Sequence, residues 1–213
     1  MKRLLLCSLL CFCFQALAWT ERGNGGNIIM CDDPSQDKFY DAFEAEYLYG
    51  LKPRFPHSNT SLSVARSLID RIPEAGHRLK VFMSHRLSQF ESEASFIDNV
   101  ILLPVNDIGV TLVPKNCTLH QTIIQREPRF KGDKRYIISN DKWKRLTPEH
   151  QAVGIIHELL YSYALHLKRP GTTSELIRYF NALIISGEIS SFTNNEYYDL
   201  HLLVFRTFAV NNE

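Results

Sequence analysis

His157-Glu158-Leu159-Leu160-Tyr161 is the stretch whose residue types and spacing come nearest to chemistry. It departs by one residue from the zinc-peptidase pattern H-E-x-x-H. That pattern works because residues i and i+4 share a helical face, so two imidazoles grip one ion and the glutamate activates a bound water. With Tyr161 in the second place, the ligand pair is broken. His166, nine residues on, stands on the far side of the helix at about 100° per residue. His150 faces the right way, but seven residues put it about 10.5 Å along the axis, against Zn–N bonds of ~2.0 Å. The helix alone makes no zinc site, and neither metal nor cofactor is expected.

Ser174, Arg178 and Asn181 lie at i, i+4 and i+7 on the helix that follows. Helices joined by a short connection are usually antiparallel neighbours, so this face is expected to meet His157, Glu158 and Tyr161. Glu158 with Arg178 is then the natural ion pair, since a guanidinium can hold a carboxylate bidentately. Such a network has two readings. One is a satisfied structural lock between helices. The other is an acid/base site in which His157 or Glu158 titrates near neutrality. Cysteine chemistry is a weaker rival. Cys117 and His120 are three residues apart, so on a strand they point to opposite faces. Cys117 with His157 would need a free thiol. There is no G-x-S-x-G elbow.

The elements that must position these residues read as follows. Residues 28–30 form a short strand after the polar, glycine-rich 23–27, which is a flexible lead-in rather than a phosphate cradle. A helix is expected over 37–49, with Phe39, Phe43 and Tyr47 recurring every four residues and Tyr40 and Leu48 widening a core-facing stripe. Gly50 would cap it. A second helix spans 61–72 and stops at Pro73. The middle reads as strands at 79–83, 97–105, 110–113, 117–125 and 136–139, separated by Pro, Gly, Asn and Asp. Glu91 and Glu93 read as surface residues. Each face of 117–125 is half polar, which suggests a sheet facing solvent or a site. Thr147 with Pro148 opens a helix running to about residue 167. Thr172 with Glu175 opens another that ends near Ser186-Gly187, and Thr193 with Glu196 opens a last one reaching Phe208. The fold class is α+β: one domain with a small, mainly antiparallel sheet packed against N-terminal and C-terminal helices.

The first eighteen residues address the chain. Lys2 and Arg3, the apolar run 4–14 and Ala16-Leu17-Ala18 make the three parts of a secretory signal peptide, with cleavage between Ala18 and Trp19. The bulky residues before Cys7, Cys11 and Cys13 argue against lipidation. No later stretch has transmembrane length, so a soluble single domain over 19–213 is expected. The whole chain has a formal net charge of +1, which becomes −1 once Lys2 and Arg3 leave. Near-neutrality gives no electrostatic case for nucleic acid. Cleavage also leaves two cysteines, Cys31 and Cys117, which an oxidising compartment should pair. A bridge closing so long a loop stabilises by up to about 4.5 kcal/mol in the chain-entropy account.

Four segments carry a resemblance: Gly23-Asn24-Gly25-Gly26-Asn27; Pro114 to Gln121 with Gln125; His157 to Tyr161; and Ser174 to Asn181 with Ser186. Together the chain resembles a group of exported bacterial proteins that share this N-terminus and an H-E-x-x-Y…S-x-x-x-R motif. The resemblance implies a periplasmic or secreted location. It also implies that His157, Glu158, Tyr161, Ser174 and Arg178 act as one motif. It carries over no activity. The leading expectation is an exported, non-enzymatic binding or envelope-associated protein. The alternative is a hydrolase, degenerate zinc-peptidase-like or acid/base, that uses the His157/Glu158 helix. A protein partner could also dock on the last helix, where Tyr197, Tyr198 and Phe205 compete for room in the core.

Overall fold

The computed structural model describes residues 26–103, 112–167 and 173–205. The signal-peptide reading, Thr172, and residues 104–105, 110–111 and 206–208 of the expected elements lie outside them. The described chain is α+β. A five-stranded sheet has the order β2-β1-β4-β5-β3, with β1 at Gly26–Cys31, β2 at Lys38–Phe39, β3 at Ala94–Ile97, β4 at Cys117–Gln125 and β5 at Tyr136–Ser139. The β1/β2, β1/β4 and β4/β5 pairs are antiparallel, and β3/β5 is parallel. Cys31 and Cys117 face each other across β1 and β4, with Cα atoms 4.0 Å apart, and form the expected disulfide.

The described residues form seven α-helices beside the sheet: α1 Tyr40–Tyr47, α2 Ser61–Ile69, α3 His77–Glu93, α4 Asn140–Trp143, α5 Pro148–His166, α6 Ser174–Ser186 and α7 Asn194–Phe205. None of the described helices is long and apolar enough to cross a membrane. Helix α5 is the centre. It packs on α1, α2, α3 and α6 and on β1 and β2, and it is buried almost continuously from Ala152 to Ala164. A helix that is apolar on nearly every side has to be enclosed in this way. Its one glycine serves the enclosure. A Cβ on Gly154 would stand 2.6 Å from the Phe39 ring, so only glycine lets that ring reach the helix.

Helix α6 packs on α5 and closes over α1. Thr173, rather than Thr172, is its N-cap, accepting from the Leu176 N–H, and Gly187 ends it at φ 85°. The Thr193/Glu196 capping box at α7 is present in both directions.

Three expectations for the middle of the chain fail. Residues 79–83 belong to a long helix, not a strand. The buried residues are Leu79, Met83, Leu87 and Phe90, a spacing of four and three, while Val81 is 53% exposed. Local alternation at 79, 81 and 83 masked the longer period. Glu91 and Glu93 accordingly sit on a helix. The strand expected at 97–105 instead spans Ala94–Ile97 and stops where Asn99 takes φ 55° and Asn140 donates to Asp98. Residues 112–113 are not in a strand. Strand β4 exposes polar residues only in its first half; from Gln121 to Gln125 both faces are buried.

Candidate functional site

Helix α1 turns out to be the element that assembles the polar residues. It is short, and its buried residues are Tyr40, Asp41, Ala42, Glu44 and Ala45. Asp41 and Glu44 stand at i and i+3, so they share one face. The alanines beside them let α5 and α6 come close.

His157 and Glu158 are consecutive on α5 and point about 100° apart. His157 turns to α1, where its Nδ1 meets Asp41 Oδ2 at 2.7 Å. Asn181 of α6 donates to the same Asp41 oxygen at 2.7 Å and to the Val153 carbonyl at 3.0 Å. Asp41 is therefore the hub that joins α5 to α6. Arg178 Nε donates to Glu44 Oε2 at 2.5 Å, and its guanidinium lies 5.4 Å from the centre of the Tyr40 ring. The expected Glu158–Arg178 pair does not form, because Glu44 takes the guanidinium. Ser174 is buried at the start of α6, and Tyr161 is half-buried against the core one turn beyond His157.

Glu158 turns instead to the sheet. With the Gln125 amide oriented to satisfy its neighbours, its nitrogen donates to Glu158 Oε2 at 2.9 Å and to the Glu158 carbonyl at 3.1 Å. Its oxygen accepts from Ser162 Oγ at 3.0 Å, and Ser162 lies 3.1 Å from Tyr136 Oη. In this arrangement Tyr136, Ser162 and Gln125 donate in sequence toward one carboxyl group.

Burial and charge set the protonation. Burial pushes the Glu158 carboxyl up to about 7, aided by Asp41 and opposed by His157. Burial works against the charged form of His157, but Asp41, its hydrogen bond and Glu158 outweigh it and raise the imidazole. Burial also raises Glu44, against the pull of Arg178. Among the described residues, three carboxyl groups share this interior with one guanidinium and one imidazole. Their charges balance only when one carboxyl keeps its proton. Glu158, whose side-chain partner is a neutral amide, is the natural holder. Asp41 Oδ1 and Asn181 Oδ1 accept no hydrogen bond among the described residues, so the satisfaction is incomplete.

The cluster is closed to solvent: Asp41, Glu44, His157, Glu158, Arg178 and Asn181 are each 3% exposed or less. Among the described residues, no three His, Cys, Asp or Glu side chains converge so as to hold a metal ion. Cys117 is in the disulfide and has no thiol to attack with. Sequence reasoning missed Asp41, Glu44 and Ser162. The available signal was the pair of acids three apart, interleaved with alanines and set opposite the rings of α1.

An accessible concavity lies on the other side of α1. A cleft of about 810 Å³ runs between the outer face of α1, the disulfide end of β1 and β4, the segment after Gly50 and the first turn of α5. Phe43, Tyr47, Phe55 and His150 line it, with Lys38, Glu46 and Glu149 among the charged groups. The stripe expected in the core is thus split. Phe39 and Tyr40 are buried, but Phe43 is half-buried, and Tyr47 and Leu48 are 66% and 44% exposed. Helix α1 buries two of its three acids, Asp41 and Glu44, instead. On α7, Tyr197 and Phe205 find room in the core and Tyr198 does not. Compared with protein-family models, with curated proteins and with solved structures, the chain finds no match in any of the three.

Proposed function

We propose that this chain is an exported, non-enzymatic binding protein in which the His157/Glu158 helix is a structural lock. The observation that carries this reading is the closure of the polar cluster. His157 and Glu158 are 1% and 3% exposed, and their side-chain bonds run to Asp41 and Gln125. No substrate can touch either without the helices parting. The open cleft borders the opposite face of α1 and includes none of the six cluster residues. Export is supported by the three-part N-terminus and by a disulfide that suits an oxidising compartment.

One observation favours the hydrolase alternative: a carboxyl held up to about 7 is poised for acid/base work. Hydroxyl-radical footprinting of the native protein separates the two. His157 should be protected while the exposed His57 is oxidised. Oxidation of both at one rate would mean an open site and would restore the hydrolase. For export, the processed protein should begin at Trp19; an intact Met1 in the exported fraction would contradict it.

A further inference from the structure

We propose that the cleft beside α1 binds a neutral oligosaccharide; this rests on the binding-protein reading and names its ligand class. The cleft volume of about 810 Å³ lies inside the ~300–1,000 Å³ range of small-ligand sites. Its apolar lining includes the rings of Phe43, Tyr47 and Phe55. Phe43 and Tyr47 stack with ring centres 5.3 Å apart and planes 14° apart. Tyr47 leaves 66% of its surface to water. A pyranose ring offers the complement, a face of C–H groups with hydroxyls around its edge. Aromatic side chains with a polar tip suit such a half-apolar partner.

The charges on the wall argue against an anionic ligand, and the polar group beside the rings suits hydroxyls. Lys38 is paired with Glu46 at 3.4 Å. Asp37 is occupied by Arg145 Nε at 2.5 Å and by the Cys31 N–H at 2.8 Å. Glu149 remains as an acceptor that would repel an anion. His150 supplies a neutral polar contact. Its ring meets Phe55 edge-on at 5.8 Å, and its buried Nδ1 has no hydrogen-bond partner among the described residues. Burial lowers it to about 4, so it stays neutral above mild acidity. A neutral imidazole free at Nδ1 can shift its proton and either donate or accept at Nε2. Hydroxyl groups make the same dual demand.

The test is calorimetric titration of the oxidised, processed protein with cellotetraose, chitotetraose and maltotetraose, beside choline and a triproline peptide. At least one tetrasaccharide should bind with a dissociation constant below a millimolar. Tyr47→Ala, at an exposed position, should weaken that binding by about tenfold or more. His150→Phe, which keeps a ring against Phe55, should weaken it several-fold. A tetrasaccharide that binds wild type and Tyr47→Ala equally would overturn the assignment. So would binding of choline or triproline alone, although the binding-protein reading would survive. Failure of all three sugars overturns the ligand class. The lock reading falls only if footprinting shows His157 open.

Discussion

The two faces of α1 differ in the opposite sense from those of an ordinary surface helix. The inner face carries Asp41 and Glu44, both buried; the outer face carries Phe43 and Tyr47, with Tyr47 largely in water. What lies across each face explains the inversion. Inward, α5 and α6 supply an imidazole, a guanidinium and an amide at hydrogen-bond distance. A buried carboxylate is tolerable only with such partners. Outward, the rings stack on one another and border a cleft. The inner face is built to be satisfied within the chain. The outer face keeps contact area in reserve.

Breaking the inner face should cost most. Arg178→Ala leaves Glu44 buried without its cation and should destabilise by about 3–5 kcal/mol in urea unfolding. Adding Glu44→Gln should recover part of that loss; a fully additive double variant would show the pair to be uncoupled. Next comes the proton on Glu158. Its folded pKa of about 7 lies above the ordinary 4.5. Its contribution is therefore complete below pH 4.5 and is lost as pH rises through 7. Glu158→Gln should match wild type near pH 4.5 and exceed it by up to about 3 kcal/mol at pH 8.5. Parallel pH profiles for the two proteins would contradict a protonated Glu158.

Smaller effects follow at the edge of the inner face and then outside it. Gly154→Ala gains about 0.5–1 kcal/mol of helix propensity but drives a methyl group into Phe39, an overpacking cost of about 1–3 kcal/mol. Net destabilisation in a thermal melt is expected, and an unchanged or raised Tm would show that the ring can yield. Tyr47→Ala should change stability by no more than about 0.5 kcal/mol. A larger loss would place Tyr47 in the core after all.

Much of the frame was legible in the residues. Strands β4 and β5, the helix opening at Pro148, the cap at Gly187 and the disulfide all follow from local chemistry: turn residues, capping residues and cysteine count. The motif on α5 and α6 was legible as a polar face. Its partners were not. Glu158 and Arg178 looked like a pair because they are opposite in charge and on successive helices. The residue that captures Arg178 lies 134 positions away, on a helix whose rings suggested the reverse orientation. Periodicity reports which positions share a face, but it cannot say which face a distant neighbour will fill. The same limit hid α3, where an alternation over five residues concealed a spacing of four.

The reach of these contacts has a consequence for when the molecule can form. Asp41 waits for residues 116 and 140 positions downstream, and Glu44 for one 134 downstream. On any route that delivers the chain N-terminus first, Asp41 and Glu44 emerge before their partners. Asp41 meets His157 once α5 arrives, but Glu44 waits for Arg178 on the Ser174–Ser186 helix. Early collapse of the leading half is thereby discouraged, and folding becomes a late, both-ends event of high contact order. In a nascent chain this polar lock is therefore among the last contacts to close.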